Sequence, residues 1–336
     1  MTTAIVILNW NGRSMLERFL PSVTACCGQA QVIVADNGST DDSLSFLQHH
    51  YPQLPLIRLD KNYGFAEGYN RALSQVEADC YVLLNSDVEC TPGWIEPVVG
   101  MMERDPQIAV AQPKLLMFDR KDTFEYAGGA GGYIDKYGYP FCRGRLFSTM
   151  EKDHGQYNDQ CDIFWATGAA MFVRASVWKE LGGLDGDFFA HMEEIDFCWR
   201  THLAGYRVCY CPQSVVYHVG GGTLPKSSPF KTELNFRNNL SMLYKNLPEE
   251  RRGLVLSMRM WLDRVAAVKF LLEGHRGEYL AVRKAHRQFR QWKPALREKR
   301  KKNGTHKVPQ IYQGLLLPEY YLLGRKQFTS LKGKFS

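Results

Sequence analysis

Four positions in this 336-residue chain have residue types and settings that point to chemistry: Asp36, Asp87, the Glu193-Glu194-Asp196 cluster and His218. Asp87 closes "CYVLLNSDVE", where Val82-Leu83-Leu84 reads as a buried strand. Desolvating a carboxylate is costly, so either a turn begins there and Asp87 caps it, or a cation faces it. Taken with His218, it forms a carboxylate–imidazole pair that suits Mn²⁺ or Mg²⁺ held partly by the phosphate oxygens of a substrate. Alone, His218 reads as a hydrogen-bonded loop residue. Glu193, Glu194 and Asp196 open a helix, where negative charge is favourable. Three acids within four residues exceed what capping requires. Crowded carboxylates raise one another's pKa, and one of them could take a proton from a hydroxyl nucleophile. Asp36, in "DNGSTDD", could accept the imide N–H of a pyrimidine base while a main-chain amide near Asn9 serves its carbonyl. Its plainer role is to cap a turn.

The elements carrying these residues alternate. Apolar β-branched runs "AIVIL", "VIVA", "LIRL" and "YVLL" recur about every 25 residues. Stretches with helical spacing, "SMLERFLPSV" and "AEGYNRALSQV", lie between them. This predicts an α/β fold with a mostly parallel central sheet flanked by helices. Each strand ends in a polar cluster: Asn9-Trp10-Asn11-Gly12, Asp36-Asn37-Gly38-Ser39, Asn62-Tyr63-Gly64 and Asn85-Ser86-Asp87. Ligands of such sheets bind at the carboxyl ends of the strands, so these clusters should converge on one crevice. The Gly- and Tyr-rich stretch near 125–145 reads as a loop or hairpin excursion over the site. "AAMFVRASVWKELGGLD" reads as a strand and a helix, and "RVCYCPQSVVYHVGGGT" as a strand delivering His218 to a glycine-rich turn. Neither GxGxxG nor GxxxxGK[ST] is present, so dinucleotide-binding and P-loop readings are weak.

Charge divides the chain. Residues 251–336 carry 21 Lys+Arg against 5 Asp+Glu, a balance of +16, whereas residues 1–250 carry 21 against 30, a balance of −9. A basic segment of this kind suits an anionic membrane surface or nucleic acid. Its core, "LVLSMRMWLDRVAAVKFLLEG", is an amphipathic helix with Arg252, Arg259, Asp263, Lys269 and Glu273 on one side. Such a helix either packs its apolar side on the catalytic body, the preferred reading, or lies in a membrane interface. The nine cysteines form no CxxC pair and suit free thiols in a reducing compartment. No leader pattern or charge-free span of 18 residues occurs, which favours a cytoplasmic protein.

In this order, "VILNWNG", "VIVADNGSTDDS", "NYGFAEGYNRAL", "LLNSDVE", "ATGAAMFVR", "GGLDGDFFAHMEEIDFCWR" and "VYHVGGGT" resemble the family 2 glycosyltransferases of GT-A fold. The branch that builds bacterial cell-surface polysaccharides, the rhamnosyltransferase type, is the most similar. The resemblance covers about residues 1–245, with a helical, basic extension over 246–336. It implies an inverting, metal-dependent transfer of sugar from a nucleoside-diphosphate donor, a deoxythymidine-diphosphate rhamnose or a UDP-sugar, to a saccharide acceptor, lipid-linked in this branch. Asp36 would recognise the base, and Asn9, Asn62 and Gly64 would line the nucleotide pocket. Asp87 takes the last position of the family's DxD motif, with Asn85 replacing its first Asp and Ser86 between them. His218 matches a later metal-binding position, and Gly168 lies in the stretch flanking the sugar. Glu193-Glu194 matches the pair that contains the catalytic base, with Glu194 preferred. A peripheral position on the inner face of the cytoplasmic membrane follows, and no nucleic-acid partner is expected. Rival readings are a nucleotidyltransferase and a non-catalytic module binding nucleotide-sugar or membrane.

Overall fold

The computed structural model describes residues 1–220 and 228–336. β1 (Thr3–Asn9), β2 (Gln31–Asn37), β3 (Leu56–Leu59) and β4 (Cys80–Leu84) run parallel in the order β3-β2-β1-β4. They are linked by α1 (Arg13–Ala25), α2 (Ser43–His50) and α3 (Gly64–Leu73). Alternate residues feed two cores: Ile5, Ile7, Val32 and Val34 face α1 and α2, while Ala4, Val6, Ile33 and Ala35 face α3. Burial on both sides explains why these strands read as unbroken apolar runs. Register sets Asn9 opposite Asp36, so the polar strand ends line one rim.

Beyond β4 the pairing is no longer uniformly parallel. After β5 (Val88–Cys90), α4 (Glu96–Arg104) and β6 (Ile108–Met117), the chain passes through five short strands: β7 (Gly132–Asp135), β8 (Pro140–Cys142), β9 (Arg145–Leu146), β10 (Thr149–Met150) and β11 (Cys161–Asp162). Strands β7 to β10 pair antiparallel in a second sheet, so the stretch expected as a loop or hairpin takes the hairpin form. The chain returns as β12 (Ala170–Arg174), antiparallel to both β4 and β6. α5 (Ala175–Leu181) and α6 (Glu193–Leu203) follow, then β13 (Arg207–His218), parallel to β6 and antiparallel to β5. The central sheet is therefore mixed. Strand direction depends on distant neighbours and leaves no trace in a strand's own apolar pattern. Residues 221–223 of the glycine-rich turn after His218 lie outside the described residues.

The C-terminal region comprises α7 (Pro229–Asn246), α8 (Glu249–Leu272), α9 (Arg276–Asn303), β14 (Ile311–Tyr312) and α10 (Leu316–Tyr321). Pro229 opens α7, and the Ser228 hydroxyl accepts the Lys231 N–H, a regular helix start. α7 is buried almost all round between the catalytic body and α9. β14 adds to β7 in parallel, and Phe328 and Phe335 pack on Tyr133. All nine cysteines are free.

α8 corrects one expectation. Its buried residues are Val255, Leu256, Arg259, Asp263 and Ala267, whereas Leu254, Trp261, Val265, Val268 and Leu272 are exposed. The charged side packs inward because Asp263 meets His286 Nε2 of α9 at 3.1 Å, and Arg259 stacks 3.7 Å over the Tyr139 ring. Turning the helix over would carry Asp263 and Arg259 to solvent and take from the buried His286 and from Tyr139 the partners they have.

Candidate active site

The strand-end clusters converge as their positions on the rim require. Asn9 Nδ2 donates to Asp36 Oδ1 at 3.1 Å, and Asp36 Oδ2 accepts the Ser39 N–H at 3.0 Å. Asp36 is almost wholly buried and does hold the turn. Asn9 Oδ1 is buried without a partner, against Gly12 and toward Ser86. A buried acceptor left in this state invites a ligand donor. Asn62 Oδ1 accepts the Gly64 N–H at 2.8 Å and the Asn37 amide at 3.2 Å. Asn37 in turn accepts the Tyr63 N–H, a tie between strand ends that its place in a turn cluster did not reveal. Gly64 has φ 77°, and a Cβ there would stand 2.5 Å from the Phe189 ring. Only glycine meets both demands.

β13 brings His218 opposite Val88, which seats its ring beside Asp87. His218 Nε2 lies 3.1 Å from Asp87 Oδ1 and 3.5 Å from Asn85 Nδ2. On its other side Nδ1 lies 3.5 Å from Glu125 Oε2. Burial disfavours the imidazolium, but Glu125 and Asp87 outweigh it and raise its pKa to about 10. The His218 ring is thus one positive partner of Asp87 in this state. Glu125 escaped the sequence reading, because it stands in the Gly/Tyr-rich stretch with no spacing to link it to either partner.

This arrangement fits a divalent ion. Asp87 and His218 stand side by side, an oxygen and a nitrogen donor that would hold such an ion between them. Glu125 occupies the opposite ring nitrogen, where a carboxylate orients a ligating histidine. Among the described residues these two donors would hold the ion, with water and substrate oxygens to complete it. Among the described residues no group of three ligating side chains is poised around one point.

The acids lie across the same crevice. Asn85 N–H donates to Ala169 O at 3.0 Å, and a Cβ on Gly168 would stand 3.9 Å from Glu194 Cβ and 3.0 Å from the Phe65 ring. Gly168-Ala169 therefore bridges the Asp87–His218 pair and the start of α6. Among the described residues, neither Glu193 Oε2 nor Glu194 Oε2, both buried atoms, has a hydrogen-bond partner. Burial raises Glu193 well above the usual carboxylate range, and the charge of Glu194 adds to it. Glu194 is also raised by burial, to about 7, with opposing help from N–H groups at the helix start. Asp196, expected as one of a crowded trio, has a different fate. It is fully buried and bonded to Arg200, Lys245 and Asn246.

The approach to α6 is strained. Phe189, His191 and Met192 have φ of 65°, 69° and 72°, unfavourable for residues with side chains. α7 holds them there. Asn238 Nδ2 lies within 2.9 Å of the carbonyls of Phe188, Ala190 and His191, and Arg237 donates to Phe188 O at 3.2 Å. On the other flank Phe65 and Ala66 N–H groups donate to Phe189 O. The loop carrying the acids is thus fastened both to the donor-side loop and to α7.

Residues 4–182, over half of the chain, match glycosyl transferase family 2. The N-acetylglucosaminyl-diphospho-decaprenol L-rhamnosyltransferase of Mycobacterium tuberculosis is 25% identical over 233 residues, covering 64% of this chain and 75% of its own. The rhamnosyltransferase WbbL of Escherichia coli is 26% identical over 273 residues, covering 79% and 98%. Among solved structures, S. aureus TarS 1–349 in complex with UDP-GlcNAc superposes with a TM-score of 0.55 at 16% identity, covering 90% and 88%. GalNAc-T7 with UDP, GalNAc and Mn²⁺ superposes with a TM-score of 0.56 at 16% identity; the match covers 74% of this chain and 48% of that one, about half its length. At these identities the structural likeness speaks for the GT-A fold.

Proposed function

The chain belongs to glycosyl transferase family 2, and we propose that it moves a rhamnose-like deoxyhexose from a nucleoside diphosphate to a lipid-linked saccharide, with inversion. It is a glycosyltransferase acting with a nucleotide-sugar in polysaccharide synthesis. The rhamnosyl donor and lipid-borne acceptor are supported by the names of its relatives. A single observation carries the chemistry. Gly168-Ala169 joins the Asp87–His218 pair to Glu193 and Glu194, each of which keeps one buried carboxyl oxygen without a hydrogen-bond partner among the described residues.

Glu194, with a pKa near the working pH, takes the proton of the attacking acceptor hydroxyl. Glu193, whose proton is held more firmly, stays neutral beside it and spares the site a second negative charge. The strained turn before α6 keeps both carboxyls aimed into the crevice, where correct placement of two substrates lowers the barrier most. Asn9, Asp36, Asn62, Gly64, Asn85 and Ser86 line the nucleotide side, and Gly168 the sugar. Asp87 and His218 would hold Mn²⁺ or Mg²⁺; Mn²⁺ is the ion named in the structures of GalNAc-T7 and of a mannosyltransferase with GDP-Man. Such an ion, when bound, offsets charge on the departing diphosphate. To serve such an ion through Nε2, His218 would have to be the neutral ring, with that proton released to solvent.

The test is a thermal-shift screen of nucleotide-sugars with and without Mn²⁺, followed by release of nucleoside diphosphate. A metal-dependent shift with a deoxythymidine- or uridine-diphosphate sugar, lost in Asp87→Ala, is expected. No shift with any donor in either condition overturns the reading.

A further inference from the structure

The apolar side of α8 forms one continuous stripe. Leu254, Met258, Trp261, Val265, Val268 and Leu272 alternate at four- and three-residue spacing. That spacing keeps them on one line along about 27 Å of helix. Leu254 is 68% exposed, Trp261 57% and Leu272 83%, with Val265 and Val268 also open to solvent. Of the fourteen large exposed apolar side chains among the described residues, eleven lie beyond residue 250. A stripe of this extent on a lone chain marks an interaction surface.

Charge decides what covers it. Arg264 and Lys269 flank the stripe and are exposed. On the adjoining helix α9, Arg276, Arg283, Arg287 and Arg290 repeat with the same periodicity and are also exposed. Residues 251–303 hold 16 Lys+Arg against 4 Asp+Glu, a balance of +12. A second copy of this helix pair would bring one positive surface against another. An anionic surface with an apolar interior satisfies both features at once. No helix among the described residues is long and apolar enough to cross a membrane, so the contact is one of lying on the surface.

We propose that the outward face of α8 docks in the interface of an anionic bilayer, with the α9 arginines against lipid phosphates. The polar seam of Arg259, Asp263 and His286 is what turns that face outward. α8 also grips the β7–β8 turn, since Arg251 donates to Lys136 O and Arg259 stacks on Tyr139. Asn239 of α7 donates to Gly138 O in the same turn and lies beside Met192, the residue before the acids. A short chain of contacts thus runs from the docking face to the crevice. The proposal rests on the lipid-borne acceptor of the preceding section for its purpose.

The full chain is sedimented with vesicles of phosphatidylcholine alone and of phosphatidylcholine with phosphatidylglycerol, without donor or acceptor. Expected is binding to the anionic vesicles only, weakened by salt. At least a tenfold loss is expected in Trp261→Ser/Val265→Ser and in Arg283→Glu/Arg287→Glu, each with an unchanged melting temperature. Equal binding to both vesicles, no binding to either, or a stripe-dependent dimer by light scattering overturns it. Because no sugar is present, vesicle binding and sugar transfer succeed or fail separately.

Discussion

Glu193 and Glu194 on α6, and Trp261 and Leu272 on α8, break the ordinary rule of burial in opposite senses. The first two are carboxyls kept from water with an oxygen each unbonded; the others are large apolar groups kept in water. Asp196 and Asp263 supply the control. Each is buried on the same helices, and each is fully partnered, by Arg200, Lys245 and Asn246 or by His286 and Arg259. The fold is therefore able to pair a buried acid three residues from Glu193, and leaves Glu193 and Glu194 unpaired. Violations of local rules concentrate where something from outside the chain is expected to arrive.

The comparison can be tested at four places. Glu194→Gln removes the proposed base while keeping shape, and kcat should fall by about 10²–10⁴. In the parent, activity should rise with pH through about 7, as Glu194 loses its proton, and that limb should vanish in the variant. Stability should move the other way. The folded chain binds more protons than the unfolded one between pH 4.5 and about 7, so ionising Glu194 weakens the fold as pH rises through that window. Glu194→Gln should then melt higher than the parent at pH 8; a lower melting point would show the carboxylate to be structural.

Lys245→Met leaves Asp196 short of a cation at full burial, and a loss of about 3–5 kcal/mol in chemical denaturation is expected. A neutral outcome would mean that Arg200 and Asn246 suffice, which would weaken the contrast drawn between Asp196 and Glu193. Asn238→Ala releases the carbonyls of the strained turn. Unsatisfied groups of this kind cost about 1–3 kcal/mol, and kcat should drop while donor KM changes little. Equal losses in kcat and KM would assign the turn to donor binding instead. The smallest effect belongs to α8: Trp261→Ser should alter stability by less than about 0.5 kcal/mol, because the side chain packs on little. A larger loss would return that residue to the core.

Much of this was legible along the chain. The four parallel strands announce themselves by apolar β-branched runs. The acids of α6 stand out by crowding, and the polar clusters by following strands. His218 and Asp87 could be paired by the chemistry of their side chains and by resemblance but not by spacing, since 131 residues separate them; β5 against β13 is what makes them neighbours. Glu125, Asn37 and the Arg237–Asn238 clamp carried no signal, for each acts on a partner far away in sequence. The rotation of α8 was misjudged for a related reason. Its amphipathic pattern is plain, but which side turns inward depends on Tyr139 and His286 waiting on other elements.

Periodicity and composition, which depend on a residue and its near neighbours, thus settled the elements and the alternating α/β order, and singled out Asp87, Glu193, Glu194 and His218 as candidates. Sheet direction, the company each acid keeps, and the face that α8 shows to solvent were decided by packing. Those outcomes are set by the energy of desolvating each charge against the particular partner that the fold brings beside it.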